Sequence, residues 1–246
     1  MNNKLIIVPT YNELENIKSM LDTLMALPLG VDVLVVDDGS PDGTASVVKQ
    51  EMLQNAGRIF IEERSGKLGL GTAYIHGFKW GLAAGYDYLF EMDCDFSHDP
   101  NDLQRLYDAL CEGADVAVGS RYVNGGSIEN WPWDRKLLSF GASLYVRMLT
   151  GMPIKDATAG FVGYTRNALI DLDLGKIQFV GYAFQIEMKY SAWLAGCRII
   201  EVPIRFKDRV LGVSKMSGKI IKEAVWGVLS MRFKRMASLR ESKNIT

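Results

Sequence analysis

Apolar positions along this chain alternate between short solid runs and stripes spaced three or four apart. Leu5-Ile6-Ile7-Val8 and Val33-Leu34-Val35-Val36 are solid runs, as strands buried on both faces should be. Between them Ile17, Met20, Leu21 and Leu24 recur at helical spacing. The exchange continues with a helix from Thr44 to about Gln54, a strand from Arg58 to Glu62 and a helix from Thr72 to Ala84. A strand over Tyr86 to Glu91, a helix over Leu103 to Cys111 and a strand over Ala114 to Val118 follow. Strand and helix in turn, with short connections, predict an α/β fold: a mostly parallel sheet flanked by helices.

After Ser120 the rhythm loosens. Arg121 to Gly126 reads as a loop, Trp131-Pro132-Trp133 as an aromatic turn, and Arg135 to Thr150 as a helix. Asp156 to Phe161 leads a strand that runs through Tyr164, and Tyr182 to Leu194 is a helix. Arg198 to Ile204 is the last strand, and Pro203 places it at an edge. Ile220 to Met236 predicts an amphipathic helix whose end is basic, through Arg232, Lys234 and Arg235, which suits either an interfacial helix on anionic lipid or a terminal helix docked on its own domain. The expected division is one α/β domain over 1–219, then this helix and a tail over 220–246.

Composition narrows the function classes. The chain has 246 residues, 48% hydrophobic, enough for one sizeable core. Its net charge of −1 offers no basic field, which argues against a nucleic-acid partner. Cys94, Cys111 and Cys197 are scattered and odd in number, as in a reducing compartment, and suit neither a disulfide framework nor a zinc site. No apolar run approaches the ~18 residues of a spanning helix. The expectation is a cytoplasmic protein that touches a membrane surface peripherally, through the 220–236 helix.

Candidate chemistry collects where strands end. Pro9 and Tyr11, Asp37 and Asp38, and Asp93 and Asp95 all follow predicted parallel strands, so they should line one crevice. Asp93 and Asp95 lie two apart, and two convergent carboxylates repel unless a cation sits between them. Hard oxygen donors suit Mg²⁺ or Mn²⁺, which would in turn hold a diphosphate. The loop Gly66 to Gly71 lacks the spacing of a phosphate cradle and reads as a place of close backbone approach. Arg205, Lys207, Arg209 and Lys215 form a cationic run that could clamp phosphate, set against an ordinary solvated charge run. His76 reads as packed or superficial; His98 adjoins Ser97 and could support the site from behind.

These motifs resemble the dolichyl-phosphate or polyprenyl-phosphate mannose synthases, family 2 glycosyltransferases of the GT-A fold. The resemblance rests on Pro9-Thr10-Tyr11-Asn12-Glu13, Asp37 to Thr44, Gly69 to Tyr74, Asp93-Cys94-Asp95, Gly119-Ser120-Arg121-Tyr122, and Asp208-Arg209 with Ser214-Lys215. It implies that Pro9, Tyr11, Glu13, Val36 and Asp38 hold the base and ribose of a sugar nucleotide, with Cys94 in the same site. It implies Asp93, Asp95 and Ser97 as metal ligands, and Arg121, Arg209 and Lys215 on phosphates. Asp95, Arg121, Arg209 and Lys215 are then the candidate catalytic residues. Cys94 stands where the family usually has Ala, Phe96 where it has Leu, and Ser97 where some members have Gln.

The implied reaction transfers mannose from GDP-mannose to a polyprenyl (dolichyl-type) phosphate with inversion. Two other enzymatic readings stay open: another sugar nucleotide such as UDP-glucose, or a sugar-hydroxyl acceptor with Asp156 as base. A non-catalytic nucleotide-binding module is the reading from another class. Whether a membrane-protein subunit accompanies the chain is left open.

Overall fold

In the computed structural model, which describes residues 3–208 and 225–232, the solid apolar runs become the central strands. These are β1 (Lys4–Thr10), β2 (Asp32–Asp37), β3 (Ile59–Glu63), β4 (Tyr88–Glu91), β5 (Val116–Ser120), β7 (Val162–Thr165) and β8 (Ile199–Pro203). They form one sheet in the order β3-β2-β1-β4-β7-β5-β8. β3, β2, β1 and β4 run parallel, as does β8 with β5, while β7 is antiparallel to both β4 and β5. β8 is an edge strand, as Pro203 requires.

Each buried strand splits its side chains between two cores, because successive residues face opposite ways. Ile6, Val8, Val33 and Val35 pack on one face with Ile17, Met20, Leu21 and Leu24 of α1 (Leu14–Ala26) and with Leu103, Leu106 and Leu110 of α4 (Leu103–Cys111). Leu5, Ile7, Leu34 and Val36 pack on the other, against Tyr74 and Phe78 of α3 (Leu70–Ala83) and Phe184 and Met188 of α7 (Tyr182–Leu194). Each such side chain contributes roughly 1.5–3 kcal/mol by leaving water. α3 lies so close to the sheet that a methyl at Gly77 would stand 2.6 Å from Ile7.

Between β2 and β3 lies α2 (Thr44–Gln54), with the predicted bounds. α3 begins at Leu70, two residues before the expectation, because Gly69 at φ 103 turns the chain into it. α5 starts at Trp133 (Trp133–Thr150) rather than Arg135, with Pro132 just before it, a position that suits proline.

Four elements went unforeseen: a 3-10 turn over Pro100–Asp102, α6 (Arg166–Asp171) and the parallel pair β6 (Ser127–Glu129) with β9 (Arg205–Lys207). Arg205 and Lys207 therefore belong to a strand, not to a cationic loop.

The start of α1 is capped by side chains that follow β2. Asn12 N donates to Ser40 Oγ, Glu13 N to Thr44 Oγ1 and Leu14 N to Asp42 Oδ2, at 2.9, 3.1 and 3.1 Å. Those acceptors come from the β2–α2 loop, so the loops after β1 and β2 are fastened together. The order reverses between β1 and β4, since the chain steps from β1 to β2 on one side and reaches β4 on the other. Such a switch point is where open α/β sheets bind ligands.

Of the C-terminal helix, residues 225–232 are described and helical. Val228 and Met231 pack with Val146 of α5 and with Ala183 and Ile186 of α7. Arg232 donates to the Leu149 carbonyl near the end of α5, and Tyr145 Oη donates to Val225 O at 3.1 Å. This part of the helix is docked on its own domain by one face, while Trp226 stays 71% exposed. Lys234 and Arg235 lie outside the described residues.

Candidate active site

β4 ends at Glu91, so Asp93 and Asp95 stand in the loop beyond it rather than on one face of an extended strand. Phe96 adopts a left-handed φ of 57°, and the loop doubles back so that Asp95 Oδ1 accepts from Ser97 N at 3.0 Å. Asp93 Oδ1 accepts from the Tyr74 hydroxyl at 3.1 Å. Asp93, Asp95, Ser97 and His98 all line one cavity of about 760 Å³. Cys94 points the other way, 3% exposed in the core with Phe90 and Met92, so its side chain cannot serve the site as expected.

The donor set of Asp93, Asp95 and Ser97 is all oxygen, which fits a hard divalent cation. Among the described residues no group of three or more His, Cys, Asp or Glu gathers to enclose a metal. A cation here would therefore take its remaining ligands from substrate phosphate and water, as Mg²⁺ commonly does.

The nucleotide candidates divide. Pro9, Tyr11 and Glu13 follow one another at the end of β1, partly exposed at the switch point. The ammonium of Lys67 lies 4.8 Å from the centre of the Tyr11 ring, which ties the glycine-rich loop to this edge. Val36 is fully buried among Leu34 and Ala73, leaving only its backbone for a ligand. Asp38 is 6% exposed and already engaged. Its Oδ1 accepts from Arg64 Nε at 2.6 Å and its Oδ2 from Leu68 N at 3.2 Å, so it fastens the glycine-rich loop. That loop does approach closely: a methyl at Gly71 would meet the Phe184 ring at 2.7 Å.

Arg121 lines the cavity, yet much of its guanidinium is turned to Asp156. Nε and Nη2 donate to the two carboxylate oxygens at 2.7 and 2.6 Å, the Arg121 backbone N adds a third bond at 2.9 Å, and Nη2 also reaches Thr158 Oγ1. Asp156 is fully buried. Burial alone would raise its carboxyl, but the Arg121 charge and hydrogen bonds outweigh that and hold it below the usual carboxylate range. So Asp156 is a poor proton acceptor, and the expected phosphate contact of Arg121 competes with a structural ion pair. Arg209 and Lys215 lie outside the described residues.

Sequence reasoning passed over several residues. Arg135 lines the cavity, stacks its guanidinium 3.9 Å from the Trp131 ring centre and pairs with Asp208 at 3.0 Å. Its place in the first turn of α5, just after Trp131, was the available signal. Below the cavity, Gln185 Nε2 donates to Glu91 Oε2 at 2.5 Å, and Lys189 Nζ donates to Ala159 O, Gln185 O and Gln185 Oε1. Burial pushes the Glu91 carboxyl up and the Lys189 ammonium down, so each needs the other. His76 is half-exposed and paired with Glu62 at 3.0 Å.

The far wall of the cavity is apolar. Leu137, Leu138, Tyr145 and Val146 of α5, Ile186 of α7, and Val225 and Val228 line it. From Trp133 and Leu137 at the cavity mouth, α5 continues outward with Phe140, Leu144 and Met148, all exposed and spaced so that the five form one stripe.

Comparison with known proteins agrees with this geometry. Residues 5–173 match the family described as Glycosyl transferase family 2. The chain is 48% identical over 229 residues to the polyprenol monophosphomannose synthase of Mycolicibacterium smegmatis, covering 91% of this chain and 86% of that protein. It is 46% identical over 229 residues to the undecaprenyl-phosphate mannosyltransferase of Micrococcus luteus, covering 91% and 93%. Among solved structures, glucosyl-3-phosphoglycerate synthase of Mycobacterium tuberculosis, in complex with Mn²⁺, UDP-glucose and phosphoglyceric acid, shares the fold. Its TM-score is 0.68 at 18% identity, over 94% of this chain and 80% of that one. The mostly parallel sheet, the carboxylate loop at its switch point and the length of the match together place the chain in glycosyl transferase family 2, with the GT-A fold.

Proposed function

We propose that this enzyme transfers mannose from GDP-mannose to a polyprenyl monophosphate with inversion, using Mg²⁺ or Mn²⁺. The observation that carries the reading is the cavity itself. One continuous space joins the Asp93–Asp95 loop to an apolar wall of α5, α7 and the 225–232 helix. A sugar-phosphate acceptor has no use for such a wall, whereas an isoprenoid phosphate would lay its chain there. The names of the two relatives, both mannosyl transferases to polyprenyl phosphate, point the same way.

When bound, the divalent ion would neutralise charge developing on the departing diphosphate. Asp93, Asp95 and Ser97 would hold it. Arg209 and Lys215, which follow β9 in the sequence, are proposed to grip phosphate, and Arg121 to orient the acceptor side while anchored on Asp156. The attacking group is a phosphate monoester with a second pKa of ~6, already ionised at neutral pH. No side chain need remove a proton, which agrees with an Asp156 locked in an ion pair. The sugar then inverts in one displacement.

The protein is proposed to act at the cytoplasmic face of a membrane, where its lipid acceptor resides. No helix among the described residues is long and apolar enough to cross one. The exposed stripe of α5 and Trp226 supports peripheral contact instead. A donor screen tests the reading: with an undecaprenyl phosphate acceptor, GDP-mannose should give lipid-linked mannose and UDP-glucose should give none. The opposite preference would retain the chemistry and overturn the donor.

A further inference from the structure

Two side chains that line this cavity each carry a buried ring nitrogen with no hydrogen-bond partner among the described residues. His98 is 3% exposed, stacked on Phe161 with centroids 5.0 Å apart, and meets the edge of Phe206 at 5.3 Å. Its Nδ1 is buried and unpartnered. Trp131 lies on the other side of Phe206, edge-on at 5.2 Å, and its Nε1 is likewise buried and unpartnered. Both side chains line the same cavity as Asp95 and Arg121.

An unpaired buried donor or acceptor costs about 1–3 kcal/mol, so such groups call for a partner the bare chain lacks. Several neighbouring polar groups are otherwise engaged. Gln185 holds Glu91 and Lys189, Thr158 holds Arg121, and Ser97 N holds Asp95. Phenylalanine would fill the place of the His98 ring at less cost if packing were the only demand.

The room for a partner is present. A methyl at Gly160 would stand 4.0 Å from His98 Cε1 and 3.9 Å from Gln185 Nε2, so glycine leaves a gap between those two side chains. The partner must offer an acceptor, because an indole N–H can only donate. Two guanidinium groups, Arg121 and Arg135, lie against Trp131, at 5.8 and 3.9 Å from its ring centre. Their charge favours an anionic oxygen over a hydroxyl.

We infer that His98 and Trp131 donate hydrogen bonds to phosphoryl oxygens of a substrate bound between the carboxylate loop and the first turn of α5. This rests on the proposed reaction, whose substrates supply two such groups: the donor diphosphate and the acceptor monophosphate. Both residues then act as binding groups that position phosphate.

The test uses the full-length enzyme with Mn²⁺ and four variants: His98→Phe, His98→Asn, His98→Gln and Trp131→Phe. An asparagine amide nitrogen can take the place of Nδ1; that of glutamine overlays the other ring nitrogen. Two arms separate the sources: the Kd for GDP by calorimetry, and the KM for undecaprenyl phosphate at saturating donor. His98→Phe and Trp131→Phe should each weaken one of these by roughly ten- to a hundredfold, the worth of a bond to a charged acceptor. The other arm should stay unchanged, and His98→Asn should recover most of the loss while His98→Gln should not.

The inference is overturned if both Phe variants keep wild-type values in both arms. It is overturned equally if Asn and Gln at 98 behave alike, a comparison that stands should His98→Phe fail to fold. Wild-type turnover is the control. An inactive wild type refutes the proposed reaction; an active wild type beside indifferent variants refutes only the role of His98 and Trp131.

Discussion

Arg121 and Asp156 meet in a two-bond ion pair, at 2.7 and 2.6 Å, with the Asp156 carboxylate fully buried. The pair ties the loop after β5 to the segment leading into β7, and both border the cavity. Removing one member leaves the other charge buried and alone, which costs roughly 3–5 kcal/mol. Asp156→Asn should therefore lower the melting midpoint by about 10 °C at pH 7. The folded-state pKa of Asp156 is lowered, so its contribution is complete above the ordinary carboxylate value and fades as pH falls through the lowered one. Melting curves of wild type and variant should accordingly converge below about pH 4. A gap that stays constant from pH 7 to pH 3 would contradict the ion-pair account.

Lys189 makes the same argument deeper in the molecule. It is fully buried, beside a Glu91 whose carboxyl burial pushes up. Lys189→Met should destabilise by about 3–5 kcal/mol, because Glu91 and the Ala159 carbonyl lose their cation. Adding Glu91→Gln should recover part of this, since the second change removes the carboxyl that has lost its cation. Denaturant unfolding of the two singles and the double checks it; simple additivity would show that the pair is not coupled.

The exposed stripe of α5 predicts membrane behaviour. Trp133, Phe140 and Met148 are 77%, 49% and 71% exposed. The protein should float with anionic vesicles, and Trp133→Glu with Phe140→Glu should abolish flotation without shifting the melting midpoint. Charge reversal at Lys234 and Arg235 should weaken it, more so at low salt where screening is slight. A wild type that ignores vesicles at low salt would remove the peripheral-membrane claim.

Much of the sheet was legible in the sequence because buried parallel strands write themselves as solid apolar runs. Leu5 to Val8 and Val33 to Val36 needed no further information. What the sequence conceals is direction: the family resemblance implies Val36 and Cys94 as site residues, yet their side chains turn into the core. Pairing is equally hidden. β7 slips antiparallel between β4 and β5, and the three-residue strand Arg205–Lys207 finds β6 across the fold, so its charges read as a loop. The Asp93–Asp95 pair was visible from the strand and breakers around it. Arg64 on Asp38, Arg121 on Asp156 and the ring packing of His98 join residues 26, 35 and 63 or more positions apart, and one sequence carries no mark of them.

The carboxylate loop should be separable from the fold. Asp95→Ala removes a 7%-exposed side chain together with its bond to Ser97 N, worth about 1 kcal/mol, so its midpoint should fall by only about 2–4 °C. Its turnover should fall by orders of magnitude, and chelator should silence the wild type until Mn²⁺ or Mg²⁺ is restored. Full activity in excess chelator would remove the metal from the account.

The most direct test of the central claim is the pH profile of mannosyl transfer from GDP-mannose to undecaprenyl phosphate, for wild type and Asp156→Asn. If the acceptor phosphate attacks unaided, kcat/KM should rise through about pH 6 with ionisation of that phosphate. The variant should keep the same inflection at whatever rate its weakened loop allows. An inflection that vanishes in Asp156→Asn, while GDP and Mn²⁺ still bind normally, would make Asp156 the proton acceptor and contradict the base-free transfer to a lipid phosphate.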